Sequence, residues 1–164
     1  MGVAYDAMIF AFEAHRNQKR KYTGNPYTDH LAEVAGITAS VILDEHVIAI
    51  AWLHDVIEDI DIGENDLSIE FGPMVSSGVA WLSDLEKGNR KERKELSRIR
   101  LSNSPPYIQT IKCADLISNT SSIVEHDHDF AKVYLDEKRL LLDVLTKADK
   151  RLIEIARRQC EVIK

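Results

Sequence analysis

Apolar residues in this chain recur at steps of three and four, and almost nowhere at steps of two. Val and Ile are frequent, yet they follow the same helical spacing, which argues against half-buried strands. Ala4, Ala7, Met8, Ala11, Ala14 and His15 share one helical stripe. Gly24-Asn25-Pro26 breaks the chain, and Thr28 or Asp29 is expected to cap the next helix, carried by Leu31, Val34, Ala35, Thr38, Val41 and Ile42. Asp44-Glu45 is a short joint. Val47 to Ile57 is apolar almost all round and reads as a buried central helix. An acidic turn, Asp59 to Asn65, leads to a helix over Asp66 to Phe71 that Gly72-Pro73 ends; Val75, Val79, Ala80 and Leu82 mark another. Gly88-Asn89 precedes a charged helix, Arg90 to Arg100, and Ser102 to Pro106 reads as the clearest linker-like break. Tyr107 to Val124, Phe130 to Val144 and Lys147 to Val162 complete the pattern. The expected fold is all-α: one domain over residues 1–164, with roughly eight to ten short helices in a compact bundle-like array.

Composition excludes several alternatives. With 45% hydrophobic and 29% charged residues, the 164-residue chain is not of the disordered class, and it can bury a core without metal or disulfide staples. No stretch approaches the roughly 20 apolar residues of a membrane helix; the longest candidate, Val47 to Leu53, is cut off by His54-Asp55. Met1 to Arg16 lacks a basic leader and carries Asp6 and Glu13, so no secretory signal and no membrane partner are expected. The two cysteines, Cys113 and Cys160, read as buried thiols in a reducing, cytoplasmic setting. The net charge of −6 argues against a nucleic-acid partner. Two basic islands stand out against it. Residues 15–21 carry Arg16, Lys19, Arg20 and Lys21 with no acid; residues 87–100 carry seven cations against Glu92 and Glu95. An acidic protein with two such islands suits a small polyanionic ligand, although solvated helix faces would give the same pattern.

The chemistry concentrates at His54-Asp55-Val-Ile-Glu58-Asp59, which puts four ionisable groups at the end of the most apolar run. On a continuous helix they would share one side. Clustered carboxylates repel, and an acidic helix end opposes the helix dipole, so a divalent cation would relieve the arrangement. A simple solvated helix end is the rival reading. Arg20 to His30 and Ile111 to Asn119 each offer one more ligand, His30 and Asp115. Two imidazoles and two carboxylates suit Mn, Fe, Co, Ni or Zn better than Ca. His46, His126 and His128 sit in polar surroundings and read as solvated, and His15 reads as a satisfied core histidine.

In order along the chain stand Ala14-His15 and Gln18, Arg20-Lys21, Pro26-Tyr27 with His30, His54-Asp55, Glu58-Asp59, Phe71-Gly72 and Lys112-x-x-Asp115-x-x-x-Asn119. With these motifs, over roughly residues 5 to 145, the sequence resembles the HD metal-dependent phosphohydrolases, and among them the small RelA/SpoT-type alarmone hydrolases. The resemblance implies that His30, His54, Asp55 and Asp115 hold one metal ion, usually Mn2+ or another divalent transition ion. It implies that Glu58 and Asp59 orient or activate the attacking water, and that Arg20, Lys21, Asn119 and Ser122 meet a nucleotide. The implied reaction removes pyrophosphate from the ribose 3′ position of a ppGpp- or ppApp-type nucleotide. Lys112 and cations of residues 90–98 would then neutralise phosphate charge. The chain departs from the family at Leu31, where proline is common, and at Leu82 to Lys87, which replaces a Gly-Val-Thr-Lys stretch. Guanine or adenine therefore stays open, as does a homo-oligomer. The alternatives are another HD phosphohydrolase, such as a nucleotidase or NADPH phosphatase, and a non-catalytic nucleotide-binding protein.

Overall fold

The computed structural model describes residues 2–161. Among the described residues there are ten helices: α1 (Val3–Ala14), α2 (Thr28–Ala39), α3 (Glu45–Leu53), α4 (Val56–Asp59), α5 (Glu64–Phe71), α6 (Pro73–Leu82), α7 (Arg90–Asn103), α8 (Pro106–His126), α9 (His128–Val144) and α10 (Lys150–Gln159). No strand occurs among the described residues; one isolated bridge pairs Lys19 with Pro26. The fold is thus all-α, and no described helix is long and apolar enough to cross a membrane. The chain forms two compact units, Met1–Leu85 and Glu86–Lys164. The expected helix end at Val162 lies outside the described residues.

In the first unit α3 is the central element, packed against α1, α2 and α6. Asp44 caps it, its Oδ1 accepting from the amides of His46 and Val47. Ala49, Ile50, Ala51 and Leu53 are wholly buried along it. Gly78 lets α6 approach: a Cβ there would lie 2.4 Å from Ile50 Cδ1. Gly72, at φ +83°, ends α5 and hands over to Pro73 in the first turn of α6, as the Gly-Pro pair predicts.

Two expectations for this unit are corrected. The run Val47 to Ile57 is not one helix. It stops at Leu53, turns through His54-Asp55, and resumes as the four-residue α4. Neither Thr28 nor Asp29 caps α2; both lie inside it, after Tyr27. The chain is already coiled there, with Asp29 N–H bonded to Pro26 O and His30 N–H to Tyr27 O. Backbone carbonyls take the place a capping side chain would fill.

In the second unit α8 packs against α9 and α10, and α7 against α8 and α9. Asn89 and Glu92 form a capping box at α7. Ser102 to Pro106 is no linker. Ser104 is buried, its Oγ donates to Leu101 O, and Lys147 Nζ donates to its carbonyl. Buried Gln109 donates to the carbonyls of Leu101 and Ser102 and accepts from Lys147 N–H. The α7–α8 corner is therefore a fixed part of this unit's core. Cys113 and Cys160 are buried free thiols.

Lys138 on α9 is only 1% exposed. Its ammonium donates to Thr120 Oγ1 and Gln159 Oε1, both at 2.7 Å, and has no carboxylate partner among the described residues. Burial lowers its pKa from 10.5 to about 8. Since the unfolded chain then binds more protons between pH 8 and 10.5, this lysine's contribution to stability should rise across that window, by about 3 kcal/mol at full extent. Burial pushes the Cys113 thiol up to about 12, which works the opposite way above pH 9, so the wild type must be compared with Lys138→Met. The difference in Tm between the two should move in favour of the wild type from pH 8 to 10; a constant difference would contradict the buried-charge account.

Candidate metal centre

The first unit brings His30, His54 and Asp55 together. His30 sits in the first turn of α2; His54 and Asp55 form the turn between α3 and α4. The two imidazoles are buried, with ring centroids 5.2 Å apart, and the Asp55 side chain is 17% exposed. Asp55 Oδ2 is the meeting point. Tyr27 OH donates to it at 2.6 Å, His54 Nε2 lies at 3.0 Å and His30 Nε2 at 3.6 Å.

The tautomer of His54 gives this geometry its meaning. Its Nδ1 lies 2.8 Å from Ala51 O, a carbonyl that can only accept, so Nδ1 carries a proton. In the neutral ring Nε2 is then a bare lone pair facing a carboxylate oxygen. Two acceptors at 3.0 Å are tolerable only if a positive species is shared between them, a proton or a metal ion. Burial alone would raise the Asp55 pKa, but the charges and hydrogen bonds of His54 and His30 outweigh it and hold the carboxyl well below its ordinary range. The second nitrogen of a histidine held by a backbone carbonyl is the usual form of a metal-binding imidazole. The donor set fits a borderline transition ion.

Glu58 and Asp59 are exposed and separately anchored: Glu58 Oε2 accepts from Asp84 N–H at 3.0 Å, Asp59 Oδ2 from Gln18 Nε2 at 2.8 Å. The break after Leu53 means the one-sided helical clustering expected of His54, Asp55, Glu58 and Asp59 does not describe how they are placed. Arg20 has a side chain only 11% exposed, with Nη1 3.4 Å from Glu33 of α2. Lys21 Nζ lies 4.9 Å over the ring of its neighbour Tyr22. The loop carrying both is closed by Arg20 N–H to Asn25 O and Tyr27 N–H to Gln18 O, with Gly24 at φ +71° turning the chain.

In the second unit Lys112, Asp115, Asn119 and Ser122 recur at three and four residues along α8. Lys112 Nζ donates to Asp115 Oδ2 at 2.8 Å and Asn119 Nδ2 to Asp115 Oδ1 at 2.7 Å. Asp115 is buried and, like His30 and His54, offers an atom of a type a divalent ion takes. The second basic island divides. Arg90 makes a two-pronged pair with Glu137 and lies over Phe130, and Arg100 pairs with Glu86 at 2.6 Å. Lys91, Arg93 and Arg98 have no ion-pair partner among the described residues. Of the remaining histidines, His46 and His126 are exposed, near Asp44 and bonded to Ser122 O respectively; His128 is exposed and His15 buried. Tyr27 and Gln18 were visible in the sequence only as parts of motifs; nothing in it indicated that their side chains would bond Asp55 and Asp59.

Comparison with known proteins places these residues in context. A family model described as "HD domain" matches residues 7–105. The chain is 35% identical over 123 residues to GTP pyrophosphokinase rsh of Brucella melitensis, covering 71% of this chain and 16% of that protein. It is 34% identical over 117 residues to a guanosine-3′,5′-bis(diphosphate) 3′-pyrophosphohydrolase of Drosophila melanogaster, covering 70% of this chain and 65% of that one. It thus spans about a sixth of the Brucella protein and just under two thirds of the Drosophila one. A solved structure of a metazoan ortholog of SpoT that hydrolyses ppGpp superposes with a TM-score of 0.90 at 26% identity, over 97% of this chain and 94% of that one.

The linkage of Asp55 gives a test that needs no ligand. A carboxyl with a lowered folded pKa adds stability that is fully present above its unfolded value, near 3.8, and is lost as pH falls through the folded value. Asp55→Asn should flatten the acid limb of a Tm-against-pH curve below about pH 4. An acid limb as steep as the wild type's would remove Asp55 from the pair.

Proposed function

The chain belongs to the HD domain family, and from that footing we propose that it is a metal-dependent hydrolase releasing pyrophosphate from the 3′ position of a ppGpp- or ppApp-type nucleotide. The observation that carries the reading is the shared carboxylate oxygen: a buried His54 lone pair and a second imidazole both directed at Asp55 Oδ2, an arrangement made for a cation. The relatives' activities support the choice of substrate.

His30, His54 and Asp55, with Asp115 of the second unit, would hold one divalent ion, Mn2+ by preference. The bound ion would supply Lewis acidity and lower the pKa of a water at neutral pH. Glu58 or Asp59 would take or relay the attacking water's proton, each kept in place by its own anchor. Lys112, together with Lys91, Arg93 and Arg98 of α7, would neutralise phosphate charge. Arg20, held by Glu33, would present its planar guanidinium to the purine. Lys21, Asn119 and Ser122 would contact the nucleotide. We also read the two units as one HD domain, since the family match runs across residue 85, and the buried thiols as fitting a cytoplasmic setting.

The deciding assay offers ppGpp, ppApp, mononucleotides and NADPH with Mn2+ and identifies the products. Pyrophosphate from ppGpp or ppApp is expected. Inorganic phosphate from mononucleotides or NADPH alone would give the site to another HD phosphohydrolase, and tight binding without turnover would make it a nucleotide-binding protein. His54→Ala and Asp115→Ala should each weaken metal binding about tenfold or more, by elemental analysis after dialysis. Glu58→Ala should retain metal yet lose about a hundredfold in kcat; full turnover would exclude Glu58 from proton transfer.

A further inference from the structure

A chain of hydrogen bonds outside the ligand set runs from the first unit's core to Asp59. His15 closes α1 and is 1% exposed, its ring stacked on Tyr27 with centroids 5.3 Å apart. Its Nδ1 lies 2.6 Å from Gln18 Oε1. An amide oxygen only accepts, so Nδ1 carries the proton and the amide's orientation follows. The Nε2 end of Gln18 is turned the other way and donates to Asp59 Oδ2 at 2.8 Å. The Gln18 backbone is held on both sides, its N–H by His15 O at 2.9 Å and its carbonyl by Tyr27 N–H at 3.0 Å. A side chain fixed this way has little rotamer freedom left to lose in gripping Asp59. Asp59 ends a four-residue helix, just before the chain turns extended at Ile60, and is exposed. Its own element does little to fix its carboxylate.

The arrangement has a cost that packing alone would avoid. With Nδ1 committed to Gln18, the buried Nε2 of His15 has no hydrogen-bond partner among the described residues. An unmatched buried acceptor costs about 1–3 kcal/mol, and an apolar ring would fill the same space without it. What the histidine adds over such a ring is control of which end of the Gln18 amide faces outward.

We propose that Gln18 is a positioning residue that aims the Asp59 carboxylate, and that His15 sets the direction of its amide. The proposal rests on the reading of Asp59 as a proton acceptor. Gln18 does not itself meet the reacting atoms.

Two measurements test it, one of them independent of substrate. In the full chain held with diamagnetic Zn2+, NMR of the Gln18 side-chain amide should show exchange with water about tenfold slower than for a freely exposed glutamine. Asp59→Ala and His15→Phe should each restore fast exchange. Fast exchange in the wild type, or no response to either substitution, would overturn the proposal. With whichever nucleotide the wild type hydrolyses, Gln18→Leu should lower kcat at least about tenfold with KM within about twofold, and should cost nothing further in an Asp59→Asn background. An equal loss in both backgrounds, or a loss confined to KM, would show that Gln18 does not act through Asp59. A wild type that turns over no nucleotide would defeat the proposed function, and the amide exchange would still decide for or against the positioning role.

Discussion

The polar interior of the first unit depends on one oxygen atom, Asp55 Oδ2. A carboxylate so largely withdrawn from water must find compensation, and here it finds a phenol and two imidazoles. The backbone makes this possible by interrupting its most apolar helix. On a continuous helix His54 and Asp55 would fall on the same broad side, yet project about 100° apart. The turn at Leu53–Val56 brings Nε2 and Oδ2 to 3.0 Å instead. The same turn leaves the Ala51 carbonyl within reach of His54 Nδ1, which settles the tautomer. One local departure from helical geometry thus fixes the position, the protonation and the electrostatic demand of the pair.

Much of this was legible in the sequence, and the exceptions share a cause. Helix number and class follow from three- and four-residue spacing, and Gly72-Pro73 and Asn89 mark their boundaries openly. His54-Asp55 stands out at the end of the most apolar run, and His30 and Asp115 as ligand types in two further segments that carry basic side chains. The break after Leu53 was hidden because an apolar run reads alike whether it forms one helix or two short ones. The hydroxyl of Tyr27 was hidden because its bond to Asp55 spans 28 residues and exists only once α2 starts beside the end of α3. Gln18 reaches Asp59 across 41. Local pattern reports what a residue prefers; it does not report what another segment will bring to it.

The charged helix α7 illustrates the same limit for electrostatics. Sequence counts its cations together, whereas the fold sorts them. Arg90 and Arg100 are bound to Glu137 and Glu86, and Arg90 also covers Phe130. Such partly exposed pairs add about 1 kcal/mol each, so their larger effect is directional: they set the rotation of α7 within its unit. Lys91, Arg93 and Arg98 are then cations of that helix with no ion-pair partner among the described residues.

Asp115 shows the opposite construction to Asp55. It lies mid-helix, and its neighbours on the same face, Lys112 at three residues and Asn119 at four, take one carboxylate oxygen each. Helical periodicity alone builds that cluster, which is why the Lys-x-x-Asp-x-x-x-Asn pattern could be read as a unit. The two neighbours thereby orient the carboxylate from within its own helix. Asp55 needs a broken helix and a distant tyrosine to reach a comparable state. Of these two carboxylates, the one made by regular structure announces itself in the sequence, and the one made by irregular structure has to be seen folded.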